Sequence, residues 1–237
     1  MHKNSYVFFF AAVVTISCSI LLAAAANLLK GRQQENIALD MQKNILASAG
    51  LGSAEMERQD IIKLYKEHIR SKVIDRSGKE VSEKTVEQLD PKIDVDLLPL
   101  YYAEENGEVL AYIVPISGKG LWSTIYGYLA LEKDLNTIKG ITFYQHGETP
   151  GLGGEIAKDW FKDNFKGKKI ISQEGELVSI TIVKGKVKGR IPDDQADHYV
   201  DGISGSTLTG NGLNQFLKED LETYEPYFNF IRKEKTE

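Results

Sequence analysis

Asp201-Gly202-Ile203-Ser204-Gly205-Ser206-Thr207-Leu208-Thr209-Gly210-Asn211-Gly212 concentrates hydroxyls and glycines as no other stretch of the chain does. Glycine admits backbone shapes that a Cβ blocks and lets another molecule approach the main chain. Ser, Thr and Asn add short hydrogen-bonding groups. An apolar helical pattern follows at Leu213, Phe216, Leu217, Leu221 and Tyr224. A polar loop opening onto a helix N-terminus suits a phosphate, because free N–H groups and the positive end of the helix dipole point at it. The same residues also suit a simple helix N-cap. The stretch is not a P-loop, since no Gly-Lys-Ser/Thr follows, and Gly202-Ile203-Ser204-Gly205-Ser206 lacks the closing glycine of a nucleophile elbow.

A second glycine-rich loop is His146-Gly147-Glu148-Thr149-Pro150-Gly151-Leu152-Gly153-Gly154-Glu155. It too leads into an apolar pattern, at Ile156, Trp160, Phe161 and Phe165, which reads as a helix. Two such loops can converge, one on a phosphate and one on a ring.

The elements that must position these loops read as follows. Tyr6 to Leu29 carries no charged residue and is long enough to cross a bilayer as a helix. A cleaved signal peptide, with Lys3 as its basic start and Ala23–Ala26 as its cleavage site, is the competing reading, and the length favours a retained anchor. Lys3 precedes the span and Lys30 and Arg32 follow it, so charge says little about orientation. From Gln33 to Ala49 the spacing predicts a helix ended by Gly50 and Gly52, and a second helix from Ala54 to Ile69. Strands are expected at Lys72–Asp75, Val95–Ala103, Val109–Ile116, Ser123–Glu132, Thr137–Tyr144 and Leu177–Val183, with Asn106-Gly107 as a hairpin turn. Lys184–Arg190 reads as a solvated basic hairpin. Apolar residues on both faces of several strands call for helices over the sheet. The fold class is therefore α+β: a mostly antiparallel sheet flanked by helices, preceded by one N-terminal transmembrane helix.

Composition narrows the function. The net charge is −5 and no basic tract occurs, which argues against nucleic acid as a partner. The single cysteine, Cys18, lies in the apolar run and has no partner for an internal disulfide. His2, His68, His146 and His198 are far apart in sequence, so no metal-ligand spacing is present.

Asp201-x-x-Ser204-Gly205-Ser206-Thr207 resembles the flavinylation motif Asp-x-x-Ser/Thr-Gly-Ala-Thr, with Ser206 where Ala is usual. His146-x-Glu148-Thr149-Pro150-Gly151-Leu152-Gly153 is similar to a second signature of the same group. That group is the FMN-binding domain family, found in the C-type flavin subunit of the Na+-translocating NADH:quinone reductase and in the G-type subunit of the Rnf complex. Gly118–Ser123, Tyr126–Leu131 and Gln42–Leu46 resemble the quinone-reductase branch. The resemblance spans about Tyr6 to Tyr227 and implies three parts: an anchor over 1–32, a helical connector over 33–70 and an FMN-binding domain over 71–237.

What it implies for the site is specific. Thr207 would carry FMN through a phosphoester. Ser204, Gly205, Ser206 and Leu208 would shape the loop, with Asp201 orienting it. Glu148, Thr149 and Leu152 would line the flavin, with Leu121 and Trp122 as weaker candidates. The implied role is electron relay within a complex that oxidises NADH, reduces ubiquinone and exports Na+, so no general acid or base is required of this chain. The implied partners are the other subunits, a flavin transferase during maturation, and membrane lipid. The implied setting is a bacterial inner membrane, single-pass, with a cytoplasmic N-terminus and a periplasmic domain. Two readings stay open beside it: an Rnf-type carrier exchanging electrons with ferredoxin and NAD, and an anchored binding module with no flavin. A hydrolase built on Ser204 and His198 lacks the strand–elbow–helix context.

Overall fold

The structure, a computed structural model, describes residues 4–52 and 55–234. Helix α1 runs without a break over Asn4–Ser48, so the anchor and the helix expected from Gln33 are one element. The charged residues after Leu29 change what surrounds the helix but supply no breaker, since Gly31 alone costs only about 1 kcal/mol. Among the described residues α1 is the one helix long and apolar enough to span a bilayer, and its apolar window is unburied. It ends where Gly50 adopts a left-handed φ of 73°. The chain divides into two compact units, Met1–Met41 and Gln42–Glu237.

Within the second unit, α2 (Arg58–His68) leads directly into β1 (Ile69–Asp75). The start expected at Ala54 lies outside the described residues. Strands β2 (Glu80–Val81), β3 (Leu97–Glu105), β4 (Glu108–Lys119), β5 (Thr124–Glu132) and β6 (Ile138–Gln145) follow. They form a six-stranded sheet of order β2-β1-β3-β4-β5-β6, antiparallel throughout. The β3–β4 hairpin turns on Asn106 and Gly107, both at positive φ (52° and 83°), as a two-residue primed turn requires.

A single turn, α3 (Asp159–Lys162), and a small parallel pair, β7 (Thr181–Ile182) with β8 (Tyr199–Val200), come before the last helix. The long C-terminal helix α4 (Thr207–Glu234) covers one face of the sheet. Its Leu213, Phe216, Leu217, Leu221, Tyr224 and Phe228 recur at helical spacing and join one core with Tyr112, Val114 and Ile116 of β4. Residues 44–48, at the end of α1, lie against β6: Thr142 Oγ1 donates to the Asn44 carbonyl at 3.5 Å, and a Cβ on Gly140 would stand 2.5 Å from the Ser48 carbonyl. Ile45 and Leu46 are buried there. Helices over the sheet are what the two-sided apolar pattern called for.

Three expectations are corrected. The loop at His146–Glu155 does not open onto a continuous helix. It continues as a 3-10 turn (Gly153–Ala157), the single turn α3 and another 3-10 turn (Asp163–Phe165). Leu177–Val183 is a strand only at β7. Ser179 turns left-handed (φ 62°), and the N–H groups of Val178 and Ser179 both donate to the Ile170 carbonyl, which breaks the ladder. Lys184–Arg190 forms turns rather than a hairpin of strands.

Candidate functional site

Antiparallel pairing decides which loops can meet. Lys119 pairs with Thr124 and Tyr126 with Gln145, so the β4–β5 loop and the segment after β6 leave the sheet at the same end. Two contacts hold the first turns of α4, and the second of them lies at that end. Asn214 grips β7, accepting from Ile182 N at 2.6 Å and donating to Ile182 O at 3.1 Å. Gly212 lets the helix backbone approach β4 so closely that a Cβ would stand 2.3 Å from Lys119 O.

There the two glycine-rich loops line one pocket of about 320 Å³. Thr207, Gly205, Ser206, Leu208, Glu148, Thr149 and Leu152 all line it, together with Leu121 and Trp122. Asp201 and Ser204 do not. Asp201 instead fixes the approach to the loop, accepting from Val187 N and from Lys186 Nζ, each at 2.8 Å. Burial would raise its carboxyl, but these two donors hold it below the usual range. Ser204 occupies the exposed turn closed by Ser206 N donating to Ile203 O at 3.1 Å. His198 lines a different hollow with Thr181 and Glu174, its Nδ1 2.6 Å from Lys169 O.

Helix α4 begins at Thr207, six residues before the apolar pattern starts at Leu213. Thr207 is therefore the first helical residue, and its side chain is exposed. Ser206 is the capping position, and its carbonyl accepts from Gly210 N at 3.0 Å. The N–H groups of Thr207, Leu208 and Thr209 precede that first backbone bond, so this end of the helix presents donors and the positive end of its dipole.

Glu148 joins the three segments. It is 5% exposed. One carboxylate oxygen accepts from Trp122 N at 2.9 Å and from Ser123 N at 3.4 Å, and the other accepts from Thr209 Oγ1 at 2.7 Å. Burial alone would raise its carboxyl. The backbone donor at Trp122 and the Thr209 hydroxyl outweigh burial and hold it below the usual range. A Cβ on Gly120 or Gly153 would lie within 2.7 Å of a Glu148 oxygen, so both glycines make room for the carboxylate.

Sequence reasoning misses Thr209 and Ser123. Thr209 reads as loop in the sequence, whereas helix geometry turns it inward, two residues beyond the outward Thr207. Ser123 Oγ accepts from Gly147 N at 2.5 Å and ties the β4–β5 loop to the loop after β6. Around the mouth, Leu208 (61% exposed), Trp122 (66%), Leu152 (43%) and Leu121 (41%) form an apolar rim. The arrangement combines the donor N–H groups of a helix start, an exposed hydroxyl, an apolar rim and one buried carboxylate.

A family model described as FMN-binding domain matches residues 120–222, which include both loops. The NqrC subunit of the Na(+)-translocating NADH-quinone reductase of Pseudomonas aeruginosa is 38% identical, over 87% of this chain and 87% of its own length. Its counterpart from Yersinia pestis is 34% identical, over 93% of this chain and 90% of its own. The crystal structure of the Parabacteroides distasonis counterpart aligns with a TM-score of 0.73 at 33% identity, covering 84% of this chain and 96% of that one. NqrC of Shewanella oneidensis gives 0.70 at 29% identity, covering 82% and 97%.

Proposed function

Because the chain belongs to the NqrC family of Na(+)-translocating NADH-quinone reductase subunits, we propose that it carries FMN as a phosphoester on Thr207 and relays electrons between redox centres of that complex. In this reading the relay serves NADH oxidation, ubiquinone reduction and sodium export. The chain is a single-span inner-membrane protein with its N-terminus in the cytoplasm and its flavin domain in the periplasm.

The observation that carries the proposal is the convergence of both glycine-rich loops on one pocket whose polar end is the start of α4. The residues fit FMN. The first-turn N–H groups, which precede the first backbone bond of α4, suit a phosphate ester, and Ser206 Oγ is buried with no hydrogen-bond partner among the described residues. The rim of Leu121, Trp122, Leu152 and Leu208 suits a flat aromatic ring. Bound FMN supplies a ring that takes up and releases electrons singly or in pairs.

This chain's own residues do the rest. Exposed Thr207 is open to a transferase that presents an activated flavin phosphate. Its Oγ1 forms the new P–O bond, the bond to the leaving group breaks with its electron pair, and the hydroxyl proton is lost to base. Glu148 locks the pocket walls together and opposes build-up of negative charge next to it. The apolar rim keeps water from the ring and offers a face to a neighbouring redox subunit.

The test is the intact mass of the full chain made with a flavin transferase. A gain of FMN less water, mapped to the Thr207 peptide and absent from Thr207→Ala, is expected. Covalent flavin on the Thr207→Ala variant would overturn the attachment site.

A further inference from the structure

Ser206 stands at the capping position of a 28-residue helix, where a serine hydroxyl ordinarily accepts a hydrogen bond from the N–H two or three residues on. Here it does not. Ser206 is 5% exposed, and its Oγ has no hydrogen-bond partner among the described residues. The nearby carboxylate does not take it either: Glu148 is bonded to Trp122, Ser123 and Thr209. A buried hydroxyl left in this way costs stability, and it stands in a position where a methyl group would do the packing. The motif that this loop resembles usually has alanine there.

The residue nevertheless lines the pocket, between Gly205 and Thr207. Gly205 takes a left-handed φ of 75° just before it, and the neighbours differ in burial, Ser206 being buried and Thr207 exposed. The N–H groups of Thr207, Leu208 and Thr209 open on the same end of α4. We infer that Ser206 is a positioning residue for the cofactor phosphate: its hydroxyl donates to a non-bridging oxygen of the phosphoester on Thr207, completing a cradle of helix N–H groups. This inference rests on the flavin-carrier reading given above. A hydroxyl aimed at an anionic oxygen makes a charge-assisted hydrogen bond, stronger than the cap it forgoes.

The consequence is a reversal of sign between two forms of one protein. Without flavin, Ser206→Ala removes a buried unpartnered oxygen and raises the melting temperature. With flavin attached, the same change removes a bond to the phosphate and lowers it. An ordinary cap would lower both. The full chain in detergent, wild type and Ser206→Ala, is prepared with and without the flavin transferase, and each form is melted. Attachment is checked by intact mass, and the phosphodiester is read by its 31P resonance.

The expected result is complete flavinylation of Ser206→Ala, opposite shifts in the two melts, and a displaced 31P line. Parallel shifts in both melts, or an unmoved 31P line with the gain on flavinylation unchanged, would overturn the role of Ser206 and leave the carrier reading standing. A wild-type mass that stays unmodified in the presence of the transferase would remove the carrier reading, and the inference with it.

Discussion

Glu148 is a carboxylate buried where two loops meet the start of α4, and such a group is tolerated only when its oxygens are paired. Its partners are two backbone N–H groups and one hydroxyl. Glu148→Ala leaves all three without their acceptor and is expected to cost about 2–3 kcal/mol. Glu148→Gln keeps one acceptor oxygen for the Trp122 side and can donate to Thr209, so about 1 kcal/mol is expected. Denaturant melts at neutral pH measure both. The pH dependence has a definite sign. The folded pKa is depressed below the ordinary 4.5, so the contribution is present above that value and is lost as pH falls through the folded pKa. Wild-type protein should therefore lose stability on acidification more steeply than Glu148→Gln, and identical acid limbs would refute the assignment. Glu148 and Thr207 are legible in the sequence because each sits in a dense, recognisable motif. Thr209 is not, because its role depends on where the helix begins, and the apolar pattern marks only the buried stretch from Leu213 onward.

At the scale of the element, the first two turns of α4 contain two glycines, Gly210 and Gly212, which ordinarily weaken a helix by about 1 kcal/mol each relative to alanine. Their surroundings differ. A Cβ on Gly212 would meet Lys119 O at 2.3 Å, a contact with backbone that cannot swing aside. A Cβ on Gly210 would meet only Ile182, whose Cγ2 lies nearest at 3.4 Å. Gly212→Ala is therefore expected to destabilise by about 1–3 kcal/mol despite alanine's better propensity, and to lower flavinylation by moving the helix start off β4. Gly210→Ala is expected to be neutral or to stabilise by up to about 1 kcal/mol. Thermal melts of the two variants check the contrast, and equal effects would mean that close packing does not explain Gly212. The same logic explains which elements can be read in advance. The Asn106-Gly107 turn is a local requirement, and its residues announce it. The end of α1 at Gly50 is legible for the same reason. The left-handed Ser179 that cuts the Leu177–Val183 run is not, because it follows from a tertiary contact with Ile170 that no alternation of side chains records.

At the scale of the whole molecule, the question is how much chain the flavin domain needs. The sequence resemblance puts its start at residue 71, after an anchor and a connector. The compact unit begins at Gln42, and Ile45, Leu46, Ala49, Ile61 and Ile69, all N-terminal to residue 71, are buried. Ile69 opens β1 and pairs with Ala103, so a start at 71 also removes the first two residues of a strand next to the edge. Stripping buried aliphatic side chains costs about 2–5 kcal/mol for each full-sized one, and a whole domain is stable by only about 5–15 kcal/mol. Loss of Ile45, Leu46, Ile61 and Ile69 together, about 8–20 kcal/mol, is as large as that whole margin. A chain starting at Gln42 sheds the exposed apolar run of α1 yet keeps every one of these residues. It is expected to be soluble without detergent, to melt cooperatively, and to accept flavin at Thr207 from the transferase. A chain starting at residue 71 is expected to aggregate or to melt without a cooperative transition. Gel filtration, far-UV circular dichroism melts and intact mass of the two fragments check this. A stable, flavinylated 71–237 fragment would show that the end of α1 and all of α2 serve the connection to the membrane and add nothing to the stability of the flavin domain.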